Sequence, residues 1–223
     1  MADIAQDLLQ GVAGRPAASD LSPAQAKFLR AISSPDANIP ESVRADLAAK
    51  NLQLDERTDY VRAKITGSGT IEMVAVGTTR RVGQTTLTEG KIGTEGTYGA
   101  IKSLFVRFAR EATSVTDPGA ASYINTGINA DMNVVVNGEL EISVGGSVAW
   151  RGPVARLLPA SSNNVGLIGD ETYAYELPIP ARFAGKTSFQ AKFTCSEGGT
   201  ALGTTQSYFA EVGINSIVLV PRK

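Results

Sequence analysis

Val134-Val135-Val136-Asn137-Gly138-Glu139-Leu140-Glu141-Ile142 is the stretch on which the fold reading turns. Asn-Gly between two apolar runs suits a type I′ turn, because both central residues tolerate positive φ. After it, Leu140, Ile142 and Val144 alternate with Glu139, Glu141 and Ser143, so one side of the second strand is wet and the other buried. The stretch therefore predicts an antiparallel hairpin.

Outward from this hairpin, β-branched and aromatic residues broken by glycine continue from about Thr58 to the end. Strands are expected near Tyr60–Ile65, Thr70–Val76, Arg80–Leu87, Ser103–Arg110, Met132–Val136, Glu139–Val144, Val148–Leu157, Tyr173–Leu177, Thr187–Cys195, Tyr208–Val212 and Ser216–Val220. Short strands with turn residues every ten or so positions, and no helices between them, predict a mainly β antiparallel sandwich or barrel over a parallel α/β sheet. In Ile214-Asn215-Ser216-Ile217-Val218-Leu219-Val220-Pro221 four consecutive apolar residues occupy both faces, and such a strand is normally covered on both sides. Either it lies centrally beneath the N-terminal segment, or a neighbouring subunit buries its outer face.

The first 57 residues read differently. Ser22-Pro23 offers an N-cap and a first-turn proline, with Ala26, Leu29, Ala31 and Ile32 on one side of the helix that follows. Pro40-Glu41 opens a second helix carrying Val43, Leu47 and Ala48, with Asn51 as its stop. Residues 1–57 are thus expected to be a helical arm and 58–223 a β domain. The arm holds six Lys/Arg against eight Asp/Glu, the opposite of a phosphate-neutralising tail, so it should contact protein. Its Phe28, Leu29, Ile32, Val43 and Leu47 are the expected subunit-interface residues.

Composition excludes several chemistries. There is no histidine, which removes imidazole bases and His-rich metal sites. The single cysteine, Cys195, sits at an alternating strand position and reads as a buried, inert thiol; one cysteine allows no intrachain disulfide. A net charge of −1 with 43% hydrophobic and 19% charged residues gives no electrostatic reason for nucleic acid as the main partner. Neither a signal-peptide pattern nor a membrane-spanning run is visible.

The remaining constellations read as structural. Gly67-Ser68-Gly69 and Gly145-Gly146 lack the context of phosphate loops and are turn glycines. Asp117, Asp131, Glu139 with Glu141, and Asp170 with Glu171 are the carboxylates that a glycosidase pair or calcium site would need; Glu139 and Glu141 suit a solvated face. Arg80-Arg81 and Lys102, Arg107 and Arg110, near Phe105, Phe108 and Tyr98, resemble an aromatic-basic platform in outline. Residues 58–223 carry only fifteen cations against fourteen anions, so snorkelling or interface arginines are the better reading. Trp150, Tyr123, Tyr173 and Tyr175 are too scattered to display the aromatic cluster of a receptor- or carbohydrate-binding module, the alternative function for a β-sandwich. No catalytic, cofactor or metal residue is assigned.

The stretch Tyr175-Glu176-Leu177-Pro178-Ile179-Pro180-Ala181-Arg182-Phe183-Ala184-Gly185-Lys186-Thr187-Ser188-Phe189-Gln190-Ala191-Lys192-Phe193 is a proline-bounded strand, a turn, and a T-S-F-x-A-x-F strand. With the closing Val212–Arg222 strand and the lead-in Asp59-Tyr60-Val61-Arg62, it resembles the closing hairpin region of jelly-roll capsid proteins of tailless icosahedral bacteriophages. The resemblance implies a jelly roll, single or compact double, and a non-enzymatic virion shell subunit without cofactor, made in the host cytoplasm. It further implies copies of itself as partners, in trimers or higher capsomers, together with other virion proteins. An internal membrane layer would be touched but not spanned, and no specific nucleic-acid binding is expected.

Overall fold

The computed structural model describes residues 41–49, 51–74, 79–123, 133–158, 174–198 and 202–221. Helix α1 (Glu41–Ala48) is followed by β1 (Leu52–Ile65), β2 (Thr70–Glu72), β3 (Lys91–Ile92) and β4 (Tyr98–Ala112). Then come a one-turn helix α2 (Asn133–Val136), β5 (Glu139–Val144), β6 (Ser147–Pro153), β7 (Tyr175–Ala184), β8 (Thr187–Thr194) and β9 (Gln206–Pro221). The fold is mainly β: two antiparallel sheets ordered β1-β9-β4-β7 and β2-β8-β5-β6, with β3 on β8. The expected antiparallel sandwich is therefore the fold, and its nine described strands share one core.

That core follows from alternation. Phe189, Ala191 and Phe193 of β8 point inward between exposed Ser188, Gln190 and Thr194, as the T-S-F-x-A-x-F cadence requires. Leu140 and Ile142 of β5 join them. From the other sheet come Val61, Leu104, Val106, Phe108, Val212 and Ile214, and Phe108 meets Phe193 edge-to-face at 6.4 Å across the interior.

Several boundaries differ from the expectations for physical reasons. Val134–Val136 form a helical turn, not a strand, closed by Asn137 N–H to Asn133 O at 2.9 Å and Gly138 N–H to Val135 O at 3.0 Å. Val134 and Val135 are both buried; adjacent strand residues face opposite ways, so a turn of helix is what brings both to the core. The hairpin lies one strand later, between β5 and β6, where Gly145 (φ 59°) and Gly146 (φ 81°) provide the two positive φ values of a type I′ turn. Gly67-Ser68-Gly69 likewise turns the chain from β1 to β2, with φ of 78° and 67° at its glycines.

The first strand starts at Leu52 and runs in unbroken register with β9, from Leu52↔Pro221 to Ile65↔Tyr208, so residues 52–57, expected in the arm, belong to the sheet. The segment 80–87 is not a ladder strand. It turns at Gly83 (φ 85°) and lays Gln84–Thr86 along the edge of β1, with Arg62 N–H to Gln84 O at 2.8 Å and Thr86 N–H to Tyr60 O at 3.1 Å. Strands β7 and β8 enter opposite sheets, so Gly185-Lys186 is a crossing between layers and not a hairpin. Opposite β4, the register passes from Ala181↔Ile101 to Glu176↔Ser103. The intervening Leu177-Pro178-Ile179-Pro180 bulges where two prolines lack the N–H a ladder needs.

The expected strands 208–212 and 216–220 are one sixteen-residue strand, β9. It lies centrally between β1 and β4. Val218 joins the core, while Ile217 and Leu219, on the opposite face, are 2% and 0% exposed in the chain by itself. The second face of β9 needs no neighbouring subunit to cover it.

Candidate functional site

Two polar constellations stand out, and both grow from β1. The first lies on the outer face of the four-stranded sheet. Arg62 and Arg107 stand directly across from Glu211 on either side, so a buried carboxylate at 2% exposure is held between two guanidinium groups. Arg62 Nε donates to Glu211, Arg107 Nη1 lies 3.5 Å from it, and Arg62 Nη1 donates to Gly83 O at 2.8 Å. The Arg62 guanidinium is sandwiched between the rings of Tyr60 (4.7 Å) and Tyr123 (4.3 Å).

One step along the strands, the Phe105 ring lies over Gly213, filling the place a Cβ would take, and Arg107 stacks on that ring at 4.9 Å. One step the other way, Phe209 is fully buried beneath Ala109, Ala121, Val115 and Tyr123. The segment 113–123 roofs this end of the face. Asp117 fixes the roof: its carboxylate accepts from Gln84 Nε2 at 2.6 Å and Gly119 N–H at 2.7 Å, and Arg81 lies 3.3 Å away. These partners, the Gln84 amide first, hold the Asp117 carboxyl below the usual range. Burial pushes the Tyr123 phenol upward, so it stays protonated and donates to Pro118 O at 2.9 Å.

The second constellation is a cleft of about 460 Å³ between the middle of β1, the 80–94 segment and the β7–β8 crossing. Arg57 reaches Asp59 Oδ1 with Nε at 3.0 Å and Nη2 at 2.9 Å, and Thr86 Oγ1 donates to the same oxygen at 2.8 Å. Glu89 and Lys91 pair at 3.1 Å. Arg80, Lys186 and the threonines at 58, 86, 88 and 94 complete much of the wall.

Of the five expected interface residues, Phe28, Leu29 and Ile32 lie outside the described residues. Leu47 falls in α1, and Val43 is buried within its own chain at 7% exposure. Asp131, Asp170, Glu171 and Tyr173 also lie outside. Glu139 and Glu141 flank Arg151 at 3.9 and 3.4 Å on a solvated face, as expected.

The basic-aromatic set is dispersed. Phe108 points into the core, Phe105 and Arg107 into the outer-face cluster, and Lys102, at a register shift in β4, reaches Glu56 at 2.8 Å. Trp150 packs against Tyr175 at 6.0 Å within the interior and is not displayed. Cys195 is buried, and burial raises its thiol pKa, which is the inert thiol expected.

Sequence reasoning gave Arg62, Glu211, Tyr123 and Asp59 no place in a common site. One signal was present: Glu211 is the lone charge within Tyr208–Val220, a position that burial makes costly unless paired.

No family model matches the chain, and no curated protein sequence matches it. Among solved structures, VP17, a capsid protein of bacteriophage P23-77, superposes with a TM-score of 0.39 at 8% identity, over 77% of this chain and 98% of that one.

Proposed function

We propose that this chain is a virion structural protein, a subunit of an icosahedral capsid that works by self-association without catalysis. The observation that carries this reading is strand order. With the two-residue β3 set aside, the eight strands run first-eighth-third-sixth in one sheet and second-seventh-fourth-fifth in the other. That order is the one expected when a long antiparallel hairpin of four strand pairs is rolled into two layers, which supports reading the described strands as a single jelly roll, an architecture used by viral shells. The closing-region resemblance given by Tyr175–Phe193 and Val212–Arg222 points the same way.

The edges suit contact through loops and faces over strand addition. Pro178 and Pro180 interrupt edge strand β7, Gln84–Thr86 cover part of the β1 edge, and Asp55, Glu56 and Arg57 charge the rest of it. Among the described residues the exposed large apolar side chains are Val82 at 91%, Ile179 at 81% and Val148 at 56%. These are the contact points available to neighbouring copies. The segment before α1, with Phe28, Leu29 and Ile32, together with Leu47, ties a subunit to its neighbours or to other virion proteins. Val43, already buried in its own chain, is left out of that set.

Sedimentation velocity and electron microscopy of the native protein test the reading. Closed megadalton particles are expected; a discrete monomer or trimer that binds glycans would favour a receptor- or carbohydrate-binding module instead. Deleting residues 1–40, which spares α1 and all of β1, should leave a folded sandwich that fails to assemble. Unchanged particles from that variant would remove the arm from the assembly mechanism.

A further inference from the structure

The cleft beside β1 has a charge surplus that its own residues leave unmatched. Asp59 is taken by Arg57 and Thr86, and Glu89 by Lys91. Arg80 and Lys186, which line the same cleft, form no ion pair among the described residues. Lys186 acts on Glu89 only through space, where it helps hold that carboxyl below its usual range. Two positive charges therefore remain facing an open volume of about 460 Å³, beside the Thr88 hydroxyl, which has no partner among the described residues.

The walls are set by backbone, which gives the surplus a fixed shape. Gly93 (φ 75°) presses so closely on Gly185 that a Cβ would meet the Gly185 carbonyl at 2.5 Å, and Gly185 N–H donates to Thr97 O at 2.6 Å. This contact fixes where the chain presents Lys186. Across the cleft, the turn Thr88–Lys91 is closed by Lys91 N–H to Thr88 O at 3.0 Å and holds Glu89 at φ 56°, the one positive-φ residue other than glycine among those described. A non-glycine residue held in the left-handed region is strained, and strain of this kind persists where the surroundings over-determine it. The floor is the Asp59–Thr86–Tyr60 hydrogen-bond chain.

The geometry points to an anion site for a phosphate monoester dianion. Arg80 supplies a planar fork suited to phosphate oxygens, Lys186 a point charge, and Thr88 a neutral donor. Two charges on the ligand match the surplus of two on the wall. A single carboxylate of an acidic peptide carries one charge and would leave one of the two cations unmatched. The site depends on no part of the capsid reading, since it lies within one chain.

Inorganic phosphate is the first probe, titrated into the full chain at constant ionic strength with chloride as the balancing anion. Binding, read by calorimetry and by a concentration-dependent rise in Tm, is expected. Arg80→Gln with Lys186→Gln should weaken it roughly tenfold or more per lost cation, while Lys192→Gln, on the outer face of β8, should leave it unchanged. Flotation with phosphatidate-containing phosphatidylcholine vesicles separates the sources. Vesicle binding lost in the double variant assigns a lipid headgroup, and phosphate binding without vesicle binding assigns a free or small phosphate ester. A chain that responds to neither probe, or a double variant that binds as well as the parent, overturns the site. The variants change exposed side chains, and an unchanged Tm without phosphate confirms that they fold.

Discussion

The two faces of the four-stranded sheet are chemically unlike: the inner face is fully buried, and the outer face is half-buried around a buried Glu211. On the inner face Val61, Leu104, Val106, Val212 and Ile214 pack as hydrocarbon. On the outer face, one residue over on the same strands, the corresponding places are taken by Arg62, Glu211, Arg107 and a phenylalanine lying over a glycine. The inner face needs only apolar residues of about the right size. The outer face needs particular partners, because a carboxylate at 2% exposure is tolerable only while both guanidinium groups stay in place. Hydrophobic burial thus specifies that the sheet is covered, and the ion cluster specifies which segment covers it.

The contrast can be broken most directly at Glu211. Glu211→Ala leaves Arg62 and Arg107 facing each other without their shared carboxylate, and should cost about 3–5 kcal/mol, read by chemical denaturation. A cost under about 1 kcal/mol, the range of solvent-exposed pairs, would mean that the outer face is merely surface. Replacing all three charged residues by apolar ones of similar volume should recover most of the loss. On the inner face, Leu104→Ala should cost about 3 kcal/mol through lost transfer energy and a residual cavity, with no comparable rescue by changing a partner's charge.

A smaller effect sharpens the geometry. Gly213→Ala drives a methyl group into the Phe105 ring, an overpacking worth about 2 kcal/mol. Phe105→Ala removes the obstacle, so the double variant should cost less than the two single changes together by more than about 0.5 kcal/mol. Strict additivity would show that ring and glycine do not depend on each other.

These residues also explain how far the sequence could be read. Alternation in Glu139–Val144 and Thr187–Cys195 identified strands and their buried sides, because a half-buried strand writes its face into every second residue. Val134–Val136 misled, since β propensity says nothing of two adjacent residues that must both turn inward. Gly213 falls between the expected strands 208–212 and 216–220, and it marks a close approach by Phe105, a partner more than a hundred positions away in the chain. The Arg62–Glu211–Arg107 row was legible only at Glu211, the lone charge of its strand; only the register of β1, β9 and β4 brings the three together. The cleft was less legible still, because its walls come from the 80–94 segment and the β7–β8 crossing, whose approach to each other is set by Gly93 and Gly185.

The smallest effect concerns the outer-face roof and depends on pH. Asp117 ties Gln84 to Gly119, and its folded pKa is lowered, first by the Gln84 hydrogen bond and then by the Gly119 amide. A carboxylate with a depressed folded pKa contributes stability that is present above its unfolded value, about 3.9, and lost as pH falls through the folded one. Acidification from neutral to about pH 5 should therefore leave the Gly119 amide protection factor unchanged, and further acidification should lower it. The protection of Val106 and Val212, whose side chains lie on the inner face, should hold over the same range, as Asp117 and its partners Gln84 and Gly119 belong to the roof over the outer face. Asp117→Asn keeps an oxygen to accept both hydrogen bonds and removes the charge, so it should abolish the acid dependence while changing neutral-pH protection little. If Gly119 and Val212 lost protection together in acid, the roof and the core would be one cooperative unit, and the difference between the faces would be one of composition without a difference in local stability.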